Sequence, residues 1–281
     1  AFMANTQHLY YREDVLKELG IPVPKTYEEV VAASEKIRAS GKMQHPYAAA
    51  YKAGWNLAEE FVNMFIGHGG EFFKAGTAEP NINNAKGVAT LNMLKKLASL
   101  SNPDYLTHDS EAIKVEWESG KVALMTLWAS RSGTLLDDEG DAKITAATKL
   151  TGPATVGGGN IPAATLWWDG FTLAKNRSDS DAEASFIALA HAASNKKMVA
   201  DAADQAVWLV EGFVPGPKSI GVIEAVKMGA KPYPMLPQMG LMHGALGSEI
   251  VEFLQGKESA EQALKDVEAA YISKAKEQGF L

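Results

Sequence analysis

Leu166-Trp167-Trp168-Asp169-Gly170-Phe171-Thr172-Leu173-Ala174-Lys175 is the stretch around which the chain is organised. The glycine run Gly157-Gly158-Gly159 lies upstream, and Pro162 separates it from the paired tryptophans. Residues 171–173 read as a short strand, and the serine- and aspartate-rich residues 176–181 lead into a helix. Flat indole faces stack on C–H groups while a carboxylate accepts hydroxyl hydrogen bonds, so the pair beside Asp169 suits a grip on a polar ring. A structural reading stands equally open at this point. Strand alternation sends neighbouring side chains to opposite faces, which would put one tryptophan in the core and leave the other partly exposed.

Working outward, 281 residues suffice for one large domain or two lobes with their own cores. Hydrophobic residues make up 46% and charged residues 22%, the balance of a soluble globular protein, and no apolar run is long enough to span a bilayer. The net charge of −7 is spread with both signs mixed and no basic block, which argues against a nucleic-acid partner. The absence of cysteine excludes disulfides, thiolate metal sites and cysteine nucleophiles. Ala1-Phe2-Met3-Ala4-Asn5 lacks the charged and apolar regions of a secretory signal.

The order of elements reads as α/β. A strand over 8–11 is followed by a helix over 12–20. Thr26 and Glu29 form a capping box for a helix over 27–40, and a short strand is expected within 46–51. Residues 55–66 are amphipathic at helical spacing, and Asn84 caps a helix over 85–100. A helix over 110–119 precedes the clearest strand, 121–127. Trp128, Ser130 and Arg131 stand at its C-terminal end, where open α/β sheets hold ligands. The acidic residues 137–141 read as a solvated loop. Ser180 and Glu183 read as a capping box for a helix over 180–193. Further helices are expected over 196–206, 219–228 and 240–254, and a last one capped by Ser259 and Gln262 runs to about 278.

The search for catalytic chemistry is negative. Gly152 and Gly157 have P-loop spacing without the Gly-Lys-Ser/Thr that holds phosphate. His8, His45, His68, His108, His191 and His243 are scattered and never fall at metal-ligand spacing, so no metal or other cofactor is expected. Ser194-Asn195-Lys196-Lys197 matches a Ser-x-x-Lys pattern without its partner motifs. What stands out is tryptophan beside polar residues: Trp55-Asn56, Trp128 near Ser130 and Arg131, and Trp167-Trp168-Asp169. Trp117 and Trp208 fall in helical patterns and read as core. Aromatic platforms with a few convergent polar groups make a pocket for a polar ligand.

With those residues in hand, the chain resembles the extracellular solute-binding proteins of ABC importers, in the maltose-binding-protein-like, sugar-binding group. Leu9-Tyr10-Tyr11-Arg12-Glu13-Asp14-Val15-Leu16 with Pro24-Lys25-Thr26-Tyr27-Glu28-Glu29 is similar to one family segment. Gly120-Lys121-Val122-Ala123-Leu124-Met125 with Trp128 is similar to the strand leading to a ligand-contacting aromatic. Trp168-Asp169-Gly170-Phe171 to Lys175 is similar to the second lobe crossing, and Pro234-Met235-Leu236-Pro237-Gln238-Met239 to the C-terminal portion.

The resemblance implies a two-lobe periplasmic-binding-protein fold of type II, with most of the N-terminal lobe absent from this sequence. Residues 1–13 would then be a crossover strand, 14–168 the C-terminal lobe, 169–222 part of the N-terminal lobe, and 223–281 a return to the C-terminal lobe. It implies a monomeric, periplasmic, non-catalytic component that captures a sugar and delivers it to a membrane permease by lobe closure. Trp55, Trp128 and Trp168 would stack on the sugar, Asn56, Arg131 and Asp169 would bond its hydroxyls, and Trp167 and His243 would assist. Met242 and His243 stand at the late-helix position where an aromatic would favour malto-oligosaccharides, so the resemblance does not name the sugar. A non-sugar solute, a carbohydrate-active enzyme with a carboxylate pair, and a purely structural module remain as other readings.

Overall fold

The computed structural model describes residues 1–137 and 139–281, and of Met198 the backbone only. Asp138, in the acidic run read as a solvated loop, lies outside the described residues.

Strands β1 (Met3–Asn5) and β2 (Gln7–Arg12) are separated by the single residue Thr6, yet they enter different sheets. The other strands are β3 (Tyr47–Ala48), β4 (Leu124–Trp128), β5 (Thr148–Thr151), β6 (Thr165–Asp169), β7 (Val207–Trp208) and β8 (Lys231–Pro232). One sheet has the order β7-β1-β6-β8 and the other β3-β4-β2-β5. Thr6 is therefore one joint between them, and residues 152–164, from β5 to β6, are a second crossing. Thr6 is fully buried, and its hydroxyl donates to the Thr165 carbonyl at 2.8 Å.

The helices are α1 (Glu13–Glu18), α2 (Tyr27–Ala39), α3 (Trp55–Gly67), α4 (Ala85–Ala98), α5 (Ser110–Glu118), α6 (Ser132–Leu135), α7 (Ala142–Ala147), α8 (Asp179–Ser194), α9 (Lys196–Asp201), α10 (Ile220–Lys227), α11 (Met239–Glu249), α12 (Val251–Leu254) and α13 (Ala260–Glu277). Alternation along β2 and β4 divides the packing. Leu9 and Leu124 face the principal core, shared with α2, α3, α4, α11 and α13. Tyr10, Met125 and Leu127 face the opposite side, against Ile113 and the fully buried Trp117, whose indole N–H donates to Thr148. The principal core holds α3 on almost every side: all residues from Leu57 to Gly67 are buried. Helix α8 is the contrast, with no buried residue and with Phe186 and Ile187 65% and 59% exposed.

Both halves of the Thr26/Glu29 capping box form, and Asn84 and Ser259 cap as the sequence indicates. Five expectations are corrected. The strand lies at Thr165–Asp169 and not at 171–173, because its ladder is with β1, in the register Asn5↔Trp167, Ala4↔Trp168, Met3↔Asp169. Helix α8 is capped by Ser178, whose hydroxyl accepts from the Asp181 N–H, and this leaves Ser180 inside the first turn. The helix expected over 240–254 breaks at Ile250 into α11 and α12, and that over 196–206 stops at Asp201. Trp208 lies in β7, half-buried, with its indole N–H on the Ala202 carbonyl.

Candidate functional site: an aromatic cleft at the junction of the sheets

The ends of β1, β4 and β6 and the start of α3 converge on a cleft of about 360 Å³. β4 delivers Trp128, and the turn after it presents Ser130 and Arg131. β6 delivers Trp167 and Asp169, two apart and so on one face, and β1 delivers Asn5. Helix α5 contributes Ser110. Trp55 and Asn56 open α3. That start is fixed by Gly54, at φ +97°, whose N–H donates to the Gly247 carbonyl at 3.0 Å. A side chain at Gly247 would meet the Gly54 carbonyl oxygen at 2.4 Å, so the close approach of α11 to α3 requires glycine there.

Three indoles touch one another in pairs. Trp55 and Trp128 have ring centroids 6.2 Å apart, Trp55 and Trp167 6.0 Å, and Trp128 and Trp167 6.0 Å with planes at 78°. The arrangement is braced from behind. Tyr233 packs on Trp167 at 4.4 Å, and its hydroxyl lies 2.9 Å from His243 Nδ1. His243 Nε2 lies 3.0 Å from the Trp55 carbonyl, an acceptor only, so Nε2 donates there and Nδ1 accepts from Tyr233. Burial pushes the His243 pKa down, which keeps this neutral tautomer. Trp167 donates its indole N–H to Thr165 Oγ1 at 2.8 Å and to Glu59 Oε1 at 3.2 Å.

The polar rim has distinct electrostatics. Asn5 Oδ1 accepts from the N–H groups of Thr6 and Ser130, and its amide donates to the Ser130 hydroxyl, tying β1 to the turn after β4. Arg131 is paired with Glu111. The Asp169 carboxylate has no hydrogen-bond or ion-pair partner among the described residues, and desolvation pushes its pKa up.

Six of the residues singled out from sequence thus line one cleft: Trp55, Asn56, Trp128, Arg131, Trp167 and Asp169. Two do not. Trp168 projects from the opposite face of β6 and is 57% exposed, the consequence of alternation, so the indoles that line the cleft are Trp55, Trp128 and Trp167. His243 is buried behind Trp55 and sets that ring from below. Asn5, Ser110, Tyr233 and Glu59 escaped the sequence reading. Asn5 and Tyr233 gain their places from pairing and packing with distant segments, which no local pattern marks.

The family model described as bacterial extracellular solute-binding protein matches residues 1–197. The chain belongs to that family. A probable ABC transporter-binding protein of Deinococcus radiodurans is 30% identical over 176 residues, covering 60% of this chain and 40% of that protein. A probable amino-acid ABC transporter periplasmic-binding protein of Sinorhizobium fredii is 29% identical over 131 residues, covering 45% and 30%. The match spans less than half the length of either curated relative. Among solved structures, maltose-bound MalE3 of T. maritima superposes with a TM-score of 0.83 at 19% identity, over 96% of this chain and 70% of that one. This solute-binding family member therefore has the mixed α/β periplasmic-binding-protein fold, its two sheets joined through Thr6. No described helix is long and apolar enough to cross a membrane.

Proposed function

We propose that this chain is the solute-capturing component of an ABC importer and that its cleft takes a neutral carbohydrate. The observation that carries the reading is three mutually packed indoles facing the unpartnered Asp169 carboxylate, beside Asn5, Asn56 and Ser130. Indole faces bury sugar C–H groups, and Asp169 accepts from hydroxyls. Two of the similar proteins carry ABC-transporter names, and the superposed structure holds maltose.

An amino-acid ligand, named for one relative, would need a cation for its carboxylate. Arg131 in this cleft is already engaged by Glu111, which favours the neutral ligand. A glycosidase would need two carboxylates flanking the ligand, and Asp169 is the acid among the described lining residues. We read 14–168 with 223–281 as one lobe and 169–222 as part of a second. In support, the principal core draws on both α2–α4 and α11–α13. Closure about the Thr6–Thr165 joint would deliver the sugar to a periplasm-facing permease, with the chain acting as a monomer.

Calorimetric titration with maltose, mannitol, glutamate and arginine tests the ligand class. Heat with a saccharide or polyol and none with the amino acids supports the reading. Binding of an amino acid alone overturns it.

A further inference from the structure

Beneath the cleft, α3 carries two adjacent buried glutamates, Glu59 and Glu60. Glu59 sits where α3 meets the joint between the sheets. Its Oε1 lies 2.7 Å from Thr165 Oγ1 and 3.2 Å from Trp167 Nε1. Thr165 Oγ1 is also 2.8 Å from Trp167 Nε1 and 2.8 Å from Asn63 Oδ1. Asn63 Nδ2 donates onward to Gln7 Oε1 at 3.1 Å. Glu59 Oε2 is buried with no partner.

Counting hydrogens decides what this arrangement is. Thr165 has one hydroxyl hydrogen and two acceptors beside it, Glu59 and Asn63. An ionised Glu59 draws that hydrogen, which leaves Asn63 Oδ1 without its donor and a buried charge spread onto an unpartnered Oε2. A carboxyl protonated on Oε1 donates to Thr165, Thr165 donates to Asn63, and Asn63 donates to Gln7. The Trp167 N–H then fills the second acceptor position on Thr165. In that state each of these hydrogens has an acceptor.

We propose that Glu59 is a positioning residue that acts as a neutral acid: through Thr165 it fixes the Trp167 indole in the cleft and ties α3 to the joint between the sheets. Loss of the proton turns the Thr165 hydroxyl from Asn63 to Glu59, which breaks the chain to Gln7 and sets a charge beside the Trp167 N–H. Burial pushes the Glu59 pKa up to about 8, against the opposing hydrogen bonds from Thr165, Trp167 and Asn63. The titratable groups around it are Glu60 on the same helix, also raised to about 8 by burial, Tyr233 packed on Trp167, His243 on α11 and Asp169 on β6. Tyr27, Tyr47 and Tyr51 face Glu60 and are all pushed up. No lysine or arginine among the described residues pulls either acid back down.

The inference needs Trp167 in the cleft but no particular ligand, so it is tested on the unliganded protein and fails or stands separately from the carbohydrate reading. The probe is the Trp167 indole N–H resonance, identified by its loss in Trp167→Phe. It is expected to move with a midpoint near pH 8 in the wild type and still to move in Glu60→Gln. It should stay flat in Glu59→Gln, whose amide reproduces the neutral donor, and in Glu59→Met, which removes the ionising group and serves if the first variant does not fold. A resonance that is flat in the wild type, or that still titrates in Glu59→Gln or Glu59→Met, overturns the proposal.

Discussion

At the residue scale, the two adjacent tryptophans of β6 make opposite predictions. Trp167 packs against Trp55 and Trp128, while Trp168 points away and is 57% exposed. Stacking is worth about 0.5–1.5 kcal/mol beyond the area it buries, and each 1.4 kcal/mol is tenfold in affinity. Trp128→Ala should therefore weaken binding of the cognate saccharide by roughly tenfold or more. Its melting temperature should stay within a few degrees of wild type, because Trp128 is only partly buried. Trp168→Ala should leave affinity unchanged. Calorimetry on the two variants checks both. The composition of the cleft was legible, since tryptophan beside Asn, Asp, Ser and Arg marks a wet aromatic surface. Which of Trp167 and Trp168 faces it was not. That depends on register against β1, and a shift of one residue exchanges the two faces.

At the element scale, the sequence marked helices well where capping and apolar periodicity agree, as in α2, α4 and α13. The strands expected over 8–11, within 46–51 and over 121–127 form as β2, β3 and β4, but the one at 171–173 was misplaced, because short strands are defined by partners: β6 ends where its ladder with β1 ends. The approach of α11 to α3 gives a sharper test. Gly247→Ala would drive a methyl into the Gly54 carbonyl, which must shift, at a cost of about 1–3 kcal/mol. Gly244→Ala, three residues earlier on the same helix, meets open space and should gain about 0.5–1 kcal/mol from helix propensity. Denaturant unfolding of the pair reads the contrast, and equal midpoints would remove the Gly54–Gly247 contact from the account. Helix α8 gives a second test. With no buried residue, its amides should exchange within the fastest class, and those of α3 within the slowest, in a hydrogen-exchange time course.

At the scale of the whole molecule, buried ionisable groups set the pH dependence of stability. Glu59 and Glu60 are each raised from about 4.5 to about 8 by burial, so the native state keeps protons that the unfolded chain gives up. Their contribution is full below about pH 4.5 and is lost as pH rises through 8. His8 runs the other way. Burial lowers it from 6.5 to about 4, with its Nε2 unpartnered, so its contribution is full above pH 6.5 and is lost as pH falls through 4. Burial lowers His68 and His243 as well, so they lose with His8 on the acid side. Above pH 6.5 the histidines are neutral in both states while the two glutamates still lose, and stability declines from about pH 6.5 to 8. Calorimetric melting from pH 4 to 9 should trace that decline, and Glu59→Gln and Glu60→Gln should each flatten its alkaline side. A melting temperature that climbs from pH 6.5 to 8 would mean that both carboxyls ionise in the native state without cost. The joint at Thr6 and Thr165 would then be held by packing, the Thr6–Thr165 hydrogen bond and the β1–β6 ladder, and not by the neutral hydrogen-bond chain that runs from Glu59 to Gln7.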